Sequence, residues 1–257
     1  VCRHLGYLGP AVPVADLLFE RPHSLERQAY APKDMRGGGT VNVDGYGVGW
    51  FPGLDPSRPP LGDVRRPVRY RRTGQIWGDA NLRAVAAATS SGAILAAVRS
   101  ATAGMPVVDT ACAPFTDGRW LFSLNGRIDG WPDTAAEIAK TLPVTDLLTM
   151  DAPTDAALLW AVLRHRLDAG EQPAEAVVRL VNEIADASPH SRLNLLLTDG
   201  TVLVGTTWTH ALWVLEKAQS VTVASEPLDD DPEWREIPDR SVLCAGINPS
   251  TVEVQPI

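Results

Sequence analysis

The chain has 257 residues, 45% of them apolar and 21% charged, with a formal net charge of −8 at pH 7. That length buries a sizeable core, as one large α/β domain or two small ones, and the acidic balance argues against a nucleic-acid partner, which would want a basic face. No apolar run approaches the ~20 residues that span a bilayer, and no signal-like apolar segment opens the chain, so no membrane partner and a cytoplasmic protein are expected.

The three cysteines, Cys2, Cys112 and Cys244, are far apart and odd in number, which fits a reducing compartment. Cys112 and Cys244 sit in apolar surroundings and read as core. The five histidines follow no metal-ligand pattern, and no metal or other cofactor is expected. Basic runs at Arg65-Arg66 and Arg69 to Arg72 read as one solvated strand face.

Cys2 stands one residue from the start of the chain. With the first residue removed, it carries a thiol and a free α-amine on one framework. An α-amine with a pKa of about 8 can take the thiol proton at neutral pH. Val1 is expected to reflect a GTG start codon, with an initiator methionine that is then removed. The alternative for Cys2 is a small buried apolar side chain.

Residues 3 to 9 read as a short strand, with His4 alternating with Cys2 on one face. Val14 to Glu20 reads as a helix after Pro13, and Pro22 to Asp34 as a polar loop with a turn of helix. Gly37-Gly38-Gly39 lacks the preceding strand and the following Lys-Ser/Thr of a phosphate loop. Asp44-Gly45 is a turn, and Tyr46 to Phe51 a strand with Gly45, Gly47 and Gly49 on one face, open either to tight sheet packing or to a ligand. Pro52 to Pro67 is a surface excursion, Val68 to Thr73 a strand, and Asp79 caps a helix reaching about Ser90.

Gly92 to Val98 is a continuous apolar run, hence a strand buried on both faces. It delivers Arg99 and Thr102. A guanidinium at the end of a buried strand needs an anion, either an internal Asp or Glu or a substrate carboxylate. Arg119 to Leu124 is a second core strand ending in Asn125-Gly126, which reads either as a hairpin turn or as two N–H donors of an oxyanion hole. Helices are predicted at about 133–141 and 144–150. Thr154 caps an amphipathic helix with Asp155 in its first turn, where an acid suits the macrodipole, and a second helix covers 173 to 187. From Arg192 the pattern becomes short strands, read as an antiparallel meander: 194–198, 201–206, 211–215, 221–224 and 242–245.

In order, Cys2, Arg99 with Thr102, Asn125-Gly126 and Thr154-Asp155 resemble the class II glutamine amidotransferase family of N-terminal nucleophile hydrolases. The segments Cys2-Arg3-His4-Leu5-Gly6-Tyr7-Leu8-Gly9-Pro10, Pro22-His23-Ser24-Leu25, Asp44-Gly45-Tyr46-Gly47-Val48-Gly49-Trp50, Val98-Arg99-Ser100-Ala101-Thr102, Ala113-Pro114-Phe115-Thr116-Asp117-Gly118-Arg119-Trp120 and Gly130-Trp131-Pro132 are similar to the branch that acts on a γ-glutamyl amide of hercynylcysteine sulfoxide in ergothioneine biosynthesis. Leu124 and Ala103 stand where many members have histidine.

The resemblance implies an α+β fold, a four-layer αββα sandwich of two antiparallel sheets, with residues 1–257 as one amidase domain. It implies a small-molecule γ-glutamyl substrate and an enzyme whose leaving amine is its own product. Cys2 is the implied nucleophile, and Asn125 and Gly126 the oxyanion donors. Arg99 and Thr102 are the implied partners of the α-carboxylate, and Asp155 that of the α-ammonium. Two other readings stand beside it: a glutaminase subunit supplying ammonia to a partner enzyme, and a non-catalytic binding protein on an amidase fold. Trp50, Trp77 and Trp131 read as core or packing residues, with a cation-facing role as the alternative.

Overall fold

The computed structural model of the protein describes residues 2–34, 36, 41–54, 66–247 and 250–257. Val1, Gly37-Gly38-Gly39, Arg65 and most of the 52–67 excursion lie outside the described residues. In chain order the elements are β1 (Arg3–Pro13), a helical turn at Asp16–Glu20, α1 (Leu25–Tyr30), β2 (Gly45–Trp50), β3 (Val68–Arg72), α2 (Ala80–Ala88), β4 (Ser90–Arg99), β5 (Phe115–Thr116) and β6 (Leu121–Arg127). There follow α3 (Ala136–Ala139), α4 (Val144–Leu148), α5 (Asp155–Asp168), α6 (Pro173–Ala187), β7 (Arg192–Thr198), β8 (Val202–Thr207), β9 (Trp213–Lys217), β10 (Ser220–Ala224), β11 (Arg235–Glu236), β12 (Ser241–Ile247) and β13 (Ser250–Pro256).

The strands form two sheets in which every neighbouring pair is antiparallel, one ordered β11-β9-β10-β1-β4-β2-β3 and the other β13-β12-β8-β7-β6-β5. Three cores separate four layers. Leu5, Tyr7, Ile94, Ala96 and Val98 face α1, α2 and the 16–20 turn. The alternate residues, such as Leu8, Ala93 and Leu95, meet Leu121, Leu196, Leu203 and Leu243 of the second sheet. The outer face of that sheet, with Phe122, Leu195 and Leu197, is covered by α5 and α6. The period of two along each strand sends successive side chains to different cores. The fold is the αββα sandwich that the resemblance implies.

Two local expectations are corrected and two open readings are decided. Asn125 and Gly126 do not make a turn: β6 runs through them, pairing Asn125 with Asn194 and Gly126 with Leu193. The C-terminal strands are not one meander, because β9 and β10 cross to the first sheet beside β1 while β8 and β12 stay in the second, which β13 completes at the edge. The arginines of β3 are not all solvated: Arg71 pairs with Asp151 at 3.2 Å and donates to the Thr110 carbonyl, and Arg69 donates to that of Pro114. The glycine face of β2 serves packing, since a Cβ at Gly47 would lie 2.3 Å from the Ala113 carbonyl oxygen and one at Gly49 2.6 Å from the Leu121 side chain.

Capping follows the sequence closely. Asp79 accepts from the Leu82 N–H at the start of α2, and Thr154 from the Ala157 N–H at the start of α5. Among the described residues no helix is long and apolar enough to cross a membrane.

Candidate active site

Strand register assembles the site. Arg3 pairs with Val98 across β1 and β4, so Cys2, one residue earlier, falls beside the C-terminal end of β4, where Arg99 and Ser100 emerge. The Cys2 thiol lies 3.7 Å from the Ser100 carbonyl. Asp44, read from sequence only as part of a turn, holds this corner. Its carboxylate accepts from the Ala101 N–H at 2.7 Å, and its own N–H donates to the Arg99 carbonyl.

On the far side, β6 and the first turn of α5 close the cleft. Cys2, Arg99, Thr102, Gly126 and Asp155 line one cavity, together with Tyr46, Met105 and Leu124. Gly126 has φ of +155°, and a Cβ there would lie 1.8 Å from the Arg192 carbonyl oxygen. Only glycine fits where β6 passes β7 at the cavity wall.

Asp155 is buried, with Oδ2 accepting from the Ile128 N–H at 3.0 Å and Oδ1 from the Ala156 N–H at 2.8 Å. Burial raises its pKa, opposed by those N–H groups and by the positive charge of Arg99. Arg99 donates to the Pro106 carbonyl at 3.0 Å and makes no ion pair among the described residues. Of the two partners weighed for it, an internal carboxylate stands no nearer than electrostatic reach, that of Asp155 across the cavity. Among these residues no three His, Cys, Asp or Glu side chains gather as a metal site.

Asn125 is the one predicted site residue that does not line this cavity. It points between the sheets, wholly buried, and its Nδ2 donates to Ser225 Oγ at 3.3 Å. Ser225 escaped the sequence reading. Its hydroxyl accepts from the His4 N–H at 3.0 Å and donates to the His4 carbonyl at 3.3 Å, while its own N–H donates to that same carbonyl. One side chain thus ties the strand that carries Cys2 to the Asn125 amide. No sequence signal marks a serine at the end of an unremarkable strand.

His4 lies on the Cys2 face of β1, as its alternation predicts, with Nδ1 at 3.3 Å from Ser123 Oγ. Burial pushes its pKa down to about 3, helped by His210 and Arg3, and His210 falls to about 3 for the same reason with Arg192 and Arg3 nearby. Both imidazoles are neutral and very weak bases. Arg3 forms a buried pair with Glu226 at 3.2 Å. The guanidiniums of Arg3 and Arg192 both lie within electrostatic reach of Cys2.

The four layers and the cleft between the sheet ends define a class of protein, and sequence comparison agrees. The pattern of the class II glutamine amidotransferases matches residues 28–219, a stretch that contains Arg99, Thr102, Asn125, Gly126 and Asp155 and leaves Cys2 outside it. The chain belongs to that family. It is 39% identical over 244 residues to the γ-glutamyl-hercynylcysteine sulfoxide hydrolase of Mycobacterium tuberculosis, covering 95% of this chain and 92% of the relative. The protein of the same name from Mycolicibacterium smegmatis is 37% identical over 243 residues, covering 95% of both. A class II domain protein from Silicibacter pomeroyi superposes over 99% of each chain with a TM-score of 0.68 at 21% identity, which shows the fold.

Proposed function

We propose that the protein hydrolyses the γ-glutamyl amide of γ-glutamyl-hercynylcysteine S-oxide, releasing glutamate and hercynylcysteine S-oxide, with Cys2 as nucleophile. The observation that carries this reading is one cleft holding a thiol, a guanidinium with no ion pair among the described residues and a buried carboxylate. The chain around it is 37% and 39% identical to hydrolases named for that substrate.

Arg99 and Thr102 take the α-carboxylate of the γ-glutamyl group and Asp155 its α-ammonium. The carboxylate of Asp155 has lone pairs beyond the two N–H bonds it already accepts. Fixing both ends of the glutamyl unit sets the γ-carbonyl beside the thiol, which supplies the orientation term. The base is the Cys2 α-amine of a processed chain, because His4, with a pKa of about 3, is too weak to take a thiol proton. The thiolate adds to the γ-carbonyl, and the oxyanion is met by the Gly126 N–H and by the second Nδ2 hydrogen of Asn125, an amide that has to turn from its bond to Ser225 toward the cavity, each such donor worth ~3–4 kcal/mol. The C–N bond breaks as the leaving amine takes the proton from the α-ammonium. Water then adds to the γ-glutamyl thioester, the C–S bond breaks, and glutamate leaves with the thiol restored.

The test is mass spectrometry of the protein incubated with γ-glutamyl-hercynylcysteine sulfoxide and, in parallel, free glutamine, recording intact protein mass in the same run. Glutamate released chiefly from the sulfoxide by a chain that begins at Cys2, and lost in Cys2→Ala, is the expected result. Preferential cleavage of glutamine would make the protein an ammonia donor. A retained residue before Cys2 without turnover of either would make it a binding protein.

A further inference from the structure

Beside the nucleophile's cavity lies a second cleft of about 300 Å³, which shares Thr102 and Met105 with it. Five consecutive residues, Arg127 to Trp131, form one wall, bringing together a cation, an anion and an indole. We propose that this cleft holds the zwitterionic leaving group, with Trp131 and Asp129 receiving its quaternary ammonium and Arg127 a carboxylate. The proposal rests on the functional reading above and extends it to the far end of the substrate.

The chemistry of the ligand restricts what can recognise it. A trimethylammonium has no N–H, so hydrogen bonds cannot select it. An aromatic face and a nearby carboxylate can. The same leaving group carries carboxylates, which a guanidinium meets bidentately. Arg127 and Asp129 already pair at 3.0 Å with both side chains 40% exposed. A pair so exposed is weakly held, and a zwitterion of matching polarity can insert between its members.

The wall is set in place before any ligand arrives. The Asp129 N–H donates to Ser191 Oγ at 3.1 Å, and its carbonyl accepts from Ser188 Oγ and Thr134 Oγ1 at 2.8 and 2.6 Å. The Ile128 N–H is held by Asp155, so the carboxylate assigned to the α-ammonium also anchors the second cleft. Trp131 is half-buried against the helix-covered core. The two other candidate tryptophans are engaged elsewhere: Trp50 lies in the core on the opposite face of the first sheet, and Trp77 packs edge-on against Tyr30.

The experiment compares kcat/KM for three substrates: γ-glutamyl-hercynylcysteine sulfoxide, its analogue with an unmethylated histidine amine, and free glutamine. Wild-type protein is expected to prefer the trimethylated compound over the unmethylated one. Trp131→Ala and Asp129→Asn should each shrink the ratio of trimethylated substrate to glutamine at least fivefold, mainly through KM, with Trp131→Phe retaining most of it. Titration of Cys2→Ala and Cys2→Ala/Asp129→Asn proteins with the trimethylated substrate should show the same loss in Kd. Equal losses on all three substrates, or an unchanged ratio in both Asp129→Asn and Trp131→Phe/Asp129→Asn, would overturn the subsite while leaving the amidase standing. Cleavage of glutamine alone by wild-type protein would overturn the underlying function, and the subsite with it.

Discussion

Between the two sheets, one end of the layer is closed by Leu8, Phe51, Leu95, Leu121, Leu203 and Leu243, all essentially without exposure. The other end, four residues back along β1, holds His4, Ser123, Asn125, Asn194, His210 and Ser225, equally buried. The apolar end gains free energy from every side chain it removes from water, of order 1.5–3 kcal/mol for a buried leucine. The polar end gains little in net terms, because each group exchanges bonds to water for bonds to protein. It gains direction instead. Asn194 accepts from the Trp208 and His210 N–H groups and donates to the carbonyls of His210 and Ala211, and Ser225 uses one donor and two acceptor positions at once. The difference teaches that one layer can be divided into a part that holds the sheets together and a part that holds atoms at fixed places beside Cys2.

The largest expected effect lies at the cavity beside the polar end, at Asp155 in the first turn of α5. Its carboxylate is buried and its pKa raised by that burial, so its charge opposes folding. Asp155→Asn should keep a hydrogen-bond acceptor for Ile128 or Ala156 and leave the melting temperature unchanged or higher. Loss of the partner for a bound ammonium should lower kcat/KM by about 2–5 kcal/mol, roughly 30-fold to several thousandfold. A variant that loses stability and activity in parallel would remove the distinction between the two ends.

Leu121→Ala makes the opposite cut. Leu121 is wholly buried and its methyl groups occupy the space that Gly49 leaves open. Truncation should lower the denaturant midpoint by an amount equivalent to about 2–5 kcal/mol. Turnover per folded molecule should stay within about twofold, as expected for sites that share no partner. Ser225→Ala should fall between these extremes. It strands the His4 N–H and the Asn125 amide, which should reduce stability by about 1–3 kcal/mol. It should also lower kcat more than it raises KM, because the loosened Asn125 donor acts on the oxyanion and not on the bound glutamyl group.

The two ends were unequally legible in the sequence. Continuous apolar runs such as Gly92 to Val98 announce a strand buried on both faces, and Thr154-Asp155 announces a capped helix start. Both signals are local. Cys2, Arg99, Gly126 and Asp155 could be brought together only through the family resemblance, since nothing local says that residues 2 and 99 are neighbours. That adjacency is a matter of register between β1 and β4. Asn125-Gly126 misled in the other direction: the dipeptide favours a hairpin, but pairing of β6 with β7 on through Arg127 overrides it. Ser225 and Arg192 carry no signature at all, and Asp44 only that of a turn. Their parts depend on where β10 ends, where β7 begins and where the Asp44 turn leads into β2, which is a matter of strand register across both sheets.

The last effect, opposed by two carboxylates, tests the polar end by titration. His4 and His210 have pKa values near 3 in the folded protein against 6.5 as the ordinary value. Between those values the unfolded chain binds a proton at each histidine and the folded one does not, so stability is full above about pH 6.5 and falls as pH falls. The loss should be about 2 kcal/mol per histidine between pH 7 and pH 5. Asp155 and Glu226 work against it, because burial raises both and the folded protein then takes up their protons before the unfolded chain does. Denaturant unfolding at the two pH values should show a net decrease, and His4→Asn should make it shallower by one histidine's share. Leu121→Ala should subtract the same amount at both pH values, since nothing at the apolar end titrates. An equal slope in wild-type and His4→Asn proteins would mean that His4 is charged or solvated, and the polar end would then be a wet cleft and not a dry scaffold for Cys2.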